Sequence, residues 1–281
     1  MLSETGAEHT RLAVRKTYKL FIGGAFPRSE SGRTYLVRNT NVALASRKDL
    51  RDAVVAARAA VPKWSGATAY NRGQILYRAA EMLEGRRAEF TDLRVPETDV
   101  DAAVDRWVWY AGWSDKVAQV RGNANPVAGP FFNLSVPEPT GVVGVVAPAD
   151  SPLLGLVSVL APVIVTGNTA VLLASEEQPL PAVTLAEVLA TSDLPGGVVN
   201  ILTGRVAELA PWLASHADVN ALDLAGVSDP ALATALEQSA ADTLKRVVRP
   251  SADPVDWRAD PGLARLTAFL ETKTVWHPKG V

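Results

Sequence analysis

The chain has 281 residues and no cysteine. That excludes disulfides, a thiolate metal site and a cysteine nucleophile. Histidine is nearly as scarce: His9, His216 and His277 are the full set. They are too far apart in the chain to suggest a histidine metal centre, so no metal is expected. No sign of charge is in excess, with 28 Lys plus Arg against 30 Asp plus Glu and a formal charge of -2. The basic footprint of a nucleic-acid binder is therefore missing. The first twenty residues lack the apolar core of a signal peptide. The most apolar stretch, 152–165, is shorter than the ~18 residues a spanning helix needs, and Pro162 interrupts it. The expectation is a cytoplasmic protein with neither nucleic acid nor membrane as partner.

What is present is globular: 48% hydrophobic and 21% charged residues, with Trp used 7 times. Residues 1–17 read as a polar, flexible arm. Lys19–Phe26 and Thr34–Arg38 are short strand candidates flanking a turn-rich segment, which predicts a hairpin between them. Apolar residues then fall at helical spacing over 48–64, with Asp49 as a first-turn acid, and again over 71–92 and 99–120. The third helix carries Trp107, Trp109, Tyr110 and Trp113, which read as packing residues. Residues 123–139 form a linker with one strand at 131–136. From Gly141 the chain alternates apolar runs with helical segments, giving strands at 141–147, 169–174, 198–202, 219–224 and 244–249. Helices fill the intervals. This alternation predicts an α/β fold, a Rossmann-like parallel sheet flanked by helices. After Pro250 a turn-rich linker leads to a short helical turn at 263–266 and a terminal strand at 267–276. An unpaired terminal strand seeks an edge, and another chain could supply it.

Several segments carry a resemblance. EPTGVVGVVAP (138–148), APVIVTGNTAVLLASE (161–176), LPGGVVNILTG (194–204), ASHADVNALDLAG (214–226) and LKRVV (244–248) resemble the coenzyme-binding domain of the aldehyde dehydrogenases. KLFIGGAF, RNTN, DLRDAVVAARAAVPKW, NRGQILYRAAEMLEGRRAEF, YAGWSDKV and the terminal FLETKTVW are also similar to family segments, in the family's order. The resemblance implies an arm (1–17), an N-terminal hairpin with helices (18–122) and an oligomerisation-hairpin segment (123–140). It further implies a Rossmann-like core (141–250), a linker (251–266) where the family has its catalytic domain, and an oligomerisation strand (267–281).

The departures from the family are chemical. No nucleophilic cysteine exists. Pro148, Ala149 and Asp150 stand where the family has Pro-Trp-Asn, so an oxyanion donor is replaced by a carboxylate. Asp150 reads instead as a helix N-cap. Leu173 replaces the ribose-contacting lysine, and Val206 the second glycine of the phosphate turn. Arg249 or Pro250 falls at the general base. Glu176, Gly204 and Gly226 are kept as vestigial cofactor-binding positions. The resemblance thus implies a pseudoenzyme with no catalytic residues, similar to the cysteine-free second module of two-module aldehyde dehydrogenases. No cofactor is expected, with weak NAD(P) binding left open. The implied role is structural or regulatory, through a full-length aldehyde dehydrogenase subunit or a homodimer. A dinucleotide sensor is the alternative. A residual oxidoreductase, or an esterase using Ser151 or Ser175, ranks last because neither serine lies in a nucleophile-elbow pattern.

Overall fold

A computed structural model describes residues 16–280. Most of the arm expected over residues 1–17, including His9, lies outside these residues.

The centre is a five-stranded parallel sheet in the order β7-β6-β5-β8-β9. Its strands are β5 (Val142–Val146), β6 (Thr169–Leu173), β7 (Val199–Leu202), β8 (Ala221–Asp223) and β9 (Arg246–Val248). The first four are buried throughout, as their continuous apolar runs predict. Helices cover both faces. On one lie α2 (Ala69–Gly85), α4 (Glu97–Trp113), α6 (Leu154–Val165) and α7 (Leu180–Ala190). On the other lie α1 (Arg47–Ser65), α8 (Val206–Ser215) and α9 (Pro230–Ala241). Every residue of α6 is buried. Trp107 and Tyr110 are fully buried in the core beside it, so the aromatic cluster packs as expected.

Ser46 and Asp49 form a capping box at the start of α1. The Asp49 carboxylate also accepts hydrogen bonds from Ser29 Oγ and the Glu30 amide, both 2.9 Å, which ties the N-terminal segment to the helix.

Several boundaries differ from expectation. Thr34–Val37 (β1) pairs with Thr40–Ala43 (β2), not with Lys19–Phe26. Arg38 and Asn39, at φ 46° and 62°, make the two-residue left-handed turn that suits a tight hairpin. Lys19–Phe26 contributes only isolated bridges, one of them between Phe21 and Ile201 of β7. The helix expected over 71–92 is split at Arg86 into α2 and α3 (Arg87–Asp92). The next is split after Trp113, leaving α5 (Val117–Arg121) as a separate turn.

The segment 123–139 carries two strands, β3 (Asn123–Asn125) and β4 (Phe131–Pro139). After a helical turn, α10 (Ala264–Thr267), the terminal strand β10 (Leu270–Pro278) pairs antiparallel with β4 over nine residues of each strand. The terminal strand therefore finds its edge within its own chain, and no second chain is required to pair it. Beyond Ser135, β4 is paired on one side only. Pro137 and Pro139 sit in that stretch, where a missing N–H is tolerated.

Candidate functional site

In an open α/β sheet, ligands bind outside the carboxyl ends of the strands where the strand order reverses. Here that point lies between β5 and β8. The loops leaving them are 147–153 and 224–229.

The first loop starts α6. Leu153 is the N-cap residue of α6, Ser151 Oγ accepts a 2.8 Å hydrogen bond from the Gly155 amide of the first turn, and Asp150 is not the cap. Asp150 instead faces Trp257, whose indole N–H donates to it at 3.4 Å. Trp257 is 9% exposed and covers the first turn of α6. A Cβ on Gly155 would lie 3.2 Å from its ring and 2.8 Å from the Ser151 Cβ. Arg106 of α4 holds the Trp257 backbone by donating to the carbonyls of Trp257 and Ala259 at 2.8 and 3.0 Å.

Arg265 completes the arrangement. It pairs with Asp223, the last residue of β8, at 2.7 Å, and its guanidinium lies 5.3 Å from the Trp257 ring centroid. Asp223 is buried. Burial pushes its carboxyl above the usual carboxylate range, against the opposing pull of Arg265 and of the Ala225 amide. From Trp257 the chain runs along α6. Leu266 and Phe269 enter the core, and Asn168, just past the far end of α6, donates to the Phe269 carbonyl at 3.0 Å. The stretch expected as a linker, 251–266, is packed over the helix at the sheet's reversal point.

The three retained positions follow strands at the same edge: Glu176 after β6, Gly204 after β7 and Gly226 after β8. Each is engaged by the chain itself. Arg205 pairs with Glu176 at 2.7 Å. Gly204 has φ 151°, and a Cβ there would approach Leu209 Cδ1 at 3.2 Å and the Ala45 amide nitrogen at 3.3 Å. Gly226 donates to the Val146 carbonyl at 3.0 Å, and a Cβ there would lie 2.1 Å from the Ala147 carbonyl oxygen. That close approach joins the two loops across the reversal point. Leu173 is buried and offers no donor. These residues do not fit a dinucleotide in the crevice as they stand. The acid is paired to a cation, the glycines accommodate protein atoms, and Trp257 covers the helix start.

The other residues with candidate chemistry are engaged locally or lie elsewhere in the fold. Ser175 Oγ accepts from the Gln178 amide as a local turn. His216 follows α8 and His277 lies in β10. Arg249 is bound to Glu237 of α9. Among the described residues, no group of three or more His, Asp or Glu could hold a metal. No helix among them is long and apolar enough to cross a membrane. Sequence reasoning missed Trp257, Arg265, Asp223, Arg106 and Arg205. The available signal was Trp257 itself, a large aromatic within an otherwise polar, turn-rich run.

Comparison with known proteins agrees with this architecture. The Aldehyde dehydrogenase family profile matches residues 37–249. A putative aldehyde dehydrogenase, DhaS, of Bacillus subtilis is 32% identical over 82% of this chain and 50% of that protein. A cytosolic 10-formyltetrahydrofolate dehydrogenase of Mus musculus is 32% identical over 78% of this chain and 26% of that protein. Among solved structures, an NAD+ complex of aldehyde dehydrogenase from Bacillus cereus superposes with a TM-score of 0.77 at 27% identity, covering 83% of this chain and 50% of that one. The chain spans half or less of the length of these relatives. It belongs to the aldehyde dehydrogenase family.

Proposed function

We propose that this chain is a non-catalytic member of the family, a structural or regulatory subunit that works by association. Its partner is a full-length NAD(P)-dependent aldehyde dehydrogenase or a second copy of itself. The observation that carries this reading is the filled carboxyl edge. Trp257, Arg265 and Arg205 occupy or pair the positions where a cofactor and reacting groups would need open space and free donors. With no cysteine in the chain, a thiohemiacetal has no nucleophile to form on.

The surface suited to association is the small sheet β10-β4-β3. Side chains alternate across a strand, so its two faces differ. Phe131 and Trp276 meet on one face, ring centroids 5.8 Å apart, and Phe132 and Val275 lie on the other. All four are exposed, Trp276 by 58%. Among the described residues, β10 has a partner along one edge only. Size-exclusion chromatography and pull-down with an intact family enzyme from the same source test the proposal. A stable complex or homodimer is expected. A monomer that captures no such enzyme contradicts it.

A dinucleotide sensor is the second reading. It draws on the retained Glu176, Gly204 and Gly226, and on the NAD+ carried by the Bacillus cereus relative. It requires Arg205 to release Glu176. Calorimetry with NAD+ discriminates, because binding in the crevice would change on Glu176→Gln.

A further inference from the structure

A second place in the fold has the makings of a binding site, on the opposite face of the sheet from Trp257. Arg47, Lys48, Leu50 and Arg51 of α1 face Trp212, Ser215, His216 and Ala217 at the end of α8 across a cleft of about 570 Å³. That volume falls in the range of small-molecule pockets. Three of the lining side chains are cations and none is a carboxylate, in a chain whose net charge is -2.

The cation that matters most is Arg47. Its guanidinium stacks on Trp212 at 3.5 Å from the ring centroid. Among the described residues it has no carboxylate partner and no side-chain hydrogen bond, whereas the other well-placed arginines of the molecule mostly have both. Stacking fixes the plane of the fork and leaves all five N–H donors unused, so part of the cost of ordering the side chain is already met. Among the described residues Arg51 and Lys48 share Asp52, at 3.5 and 3.9 Å, and both retain donors. His216 Nδ1 accepts a hydrogen bond from the Asp218 amide at 3.2 Å, which puts the proton of the neutral ring on Nε2 as a further donor. The capping box takes up the Ser46 and Asp49 amides at the start of α1, and the site's charge comes from side chains. The recognition chemistry is therefore that of side chains: a planar fork and point charges for an anion, beside the apolar surfaces of Trp212 and Ala217.

We propose that this cleft binds a phosphate ester bearing a flat aromatic ring, the class of nucleoside diphosphates. The phosphates meet Arg47, Lys48 and Arg51, and the ring lies against the Trp212 end. The site lies between α1 and α8 and does not rest on the function proposed above.

Isothermal calorimetry of the full chain with ADP, adenosine and inorganic phosphate tests it. ADP should bind, and both Arg47→Ala and Arg51→Gln should weaken it about tenfold or more, the usual loss of a charge-assisted contact. Affinity should fall as salt rises. Adenosine and inorganic phosphate should each bind more weakly than ADP. Arg78→Ala, at an exposed cation away from the cleft, should leave ADP affinity unchanged. No heat with ADP at millimolar concentration overturns the proposal. So does binding that survives Arg47→Ala or that inorganic phosphate reproduces in full. A melting curve for each variant confirms that it is folded, so loss of binding is read on intact protein.

Discussion

Asp223 and Gly226 define the account at the scale of single residues. Burial holds the Asp223 carboxyl above its ordinary range. The folded chain thus binds that proton more tightly than the unfolded chain does. The resulting stability is fully present below the ordinary carboxylate value and is lost as pH rises through the folded value. Asp223→Asn removes this titration. Melting temperatures followed from acid to neutral pH should show the wild type losing ground to the variant as pH rises, whereas parallel curves would contradict the assignment. Gly226→Ala forces a Cβ onto the Ala147 carbonyl oxygen, so one of the two loops must move. A loss of about 1–3 kcal/mol, the usual cost of overpacking, is expected in urea unfolding. An unchanged midpoint would mean that the loops are not joined there. The same residues mark what sequence alone could not supply. Glu176, Gly204 and Gly226 were legible as retained positions because their neighbours in the chain carry the family pattern. That Arg205 pairs with Glu176 was not, because a partner 29 residues away follows from the β6–β7 neighbour relation and not from local spacing.

The secondary-structure elements were legible where burial dictates composition. The buried strands β5 to β8 and the helices between them follow from continuous apolar runs and turn signals. The errors fall where pairing or turn geometry decides. The β1–β2 hairpin depends on left-handed Arg38 and Asn39, and an arginine is not a residue that advertises such a turn. The end of β10 depends on the length of β4, which it matches residue for residue from Leu270 to Pro278. That pairing does not use up the small sheet. Lysine on an exposed strand suppresses edge and face association. Val275→Lys and Trp276→Lys, one on each face, should therefore shift the assembled species toward monomer in light scattering, with the melting temperature of the main domain little changed. Assembly that persists in the double variant would move the association surface elsewhere.

For the whole molecule, the α/β class and its parallel sheet were readable from the rhythm of the chain after Gly141. The state of the crevice was not. The residues that fill it come from α4, from β8 and from the stretch between β9 and β10, and only the folded chain brings Arg106, Asp223, Trp257 and Arg265 together. The family scaffold is retained, and its ligand edge is packed with the protein's own side chains. The most direct measurement is NADH formation by the purified chain supplied with NAD+ and a short aldehyde. The account predicts no production above that of a mock preparation from cells that lack the gene. Sustained turnover by the wild-type chain above that background would contradict it.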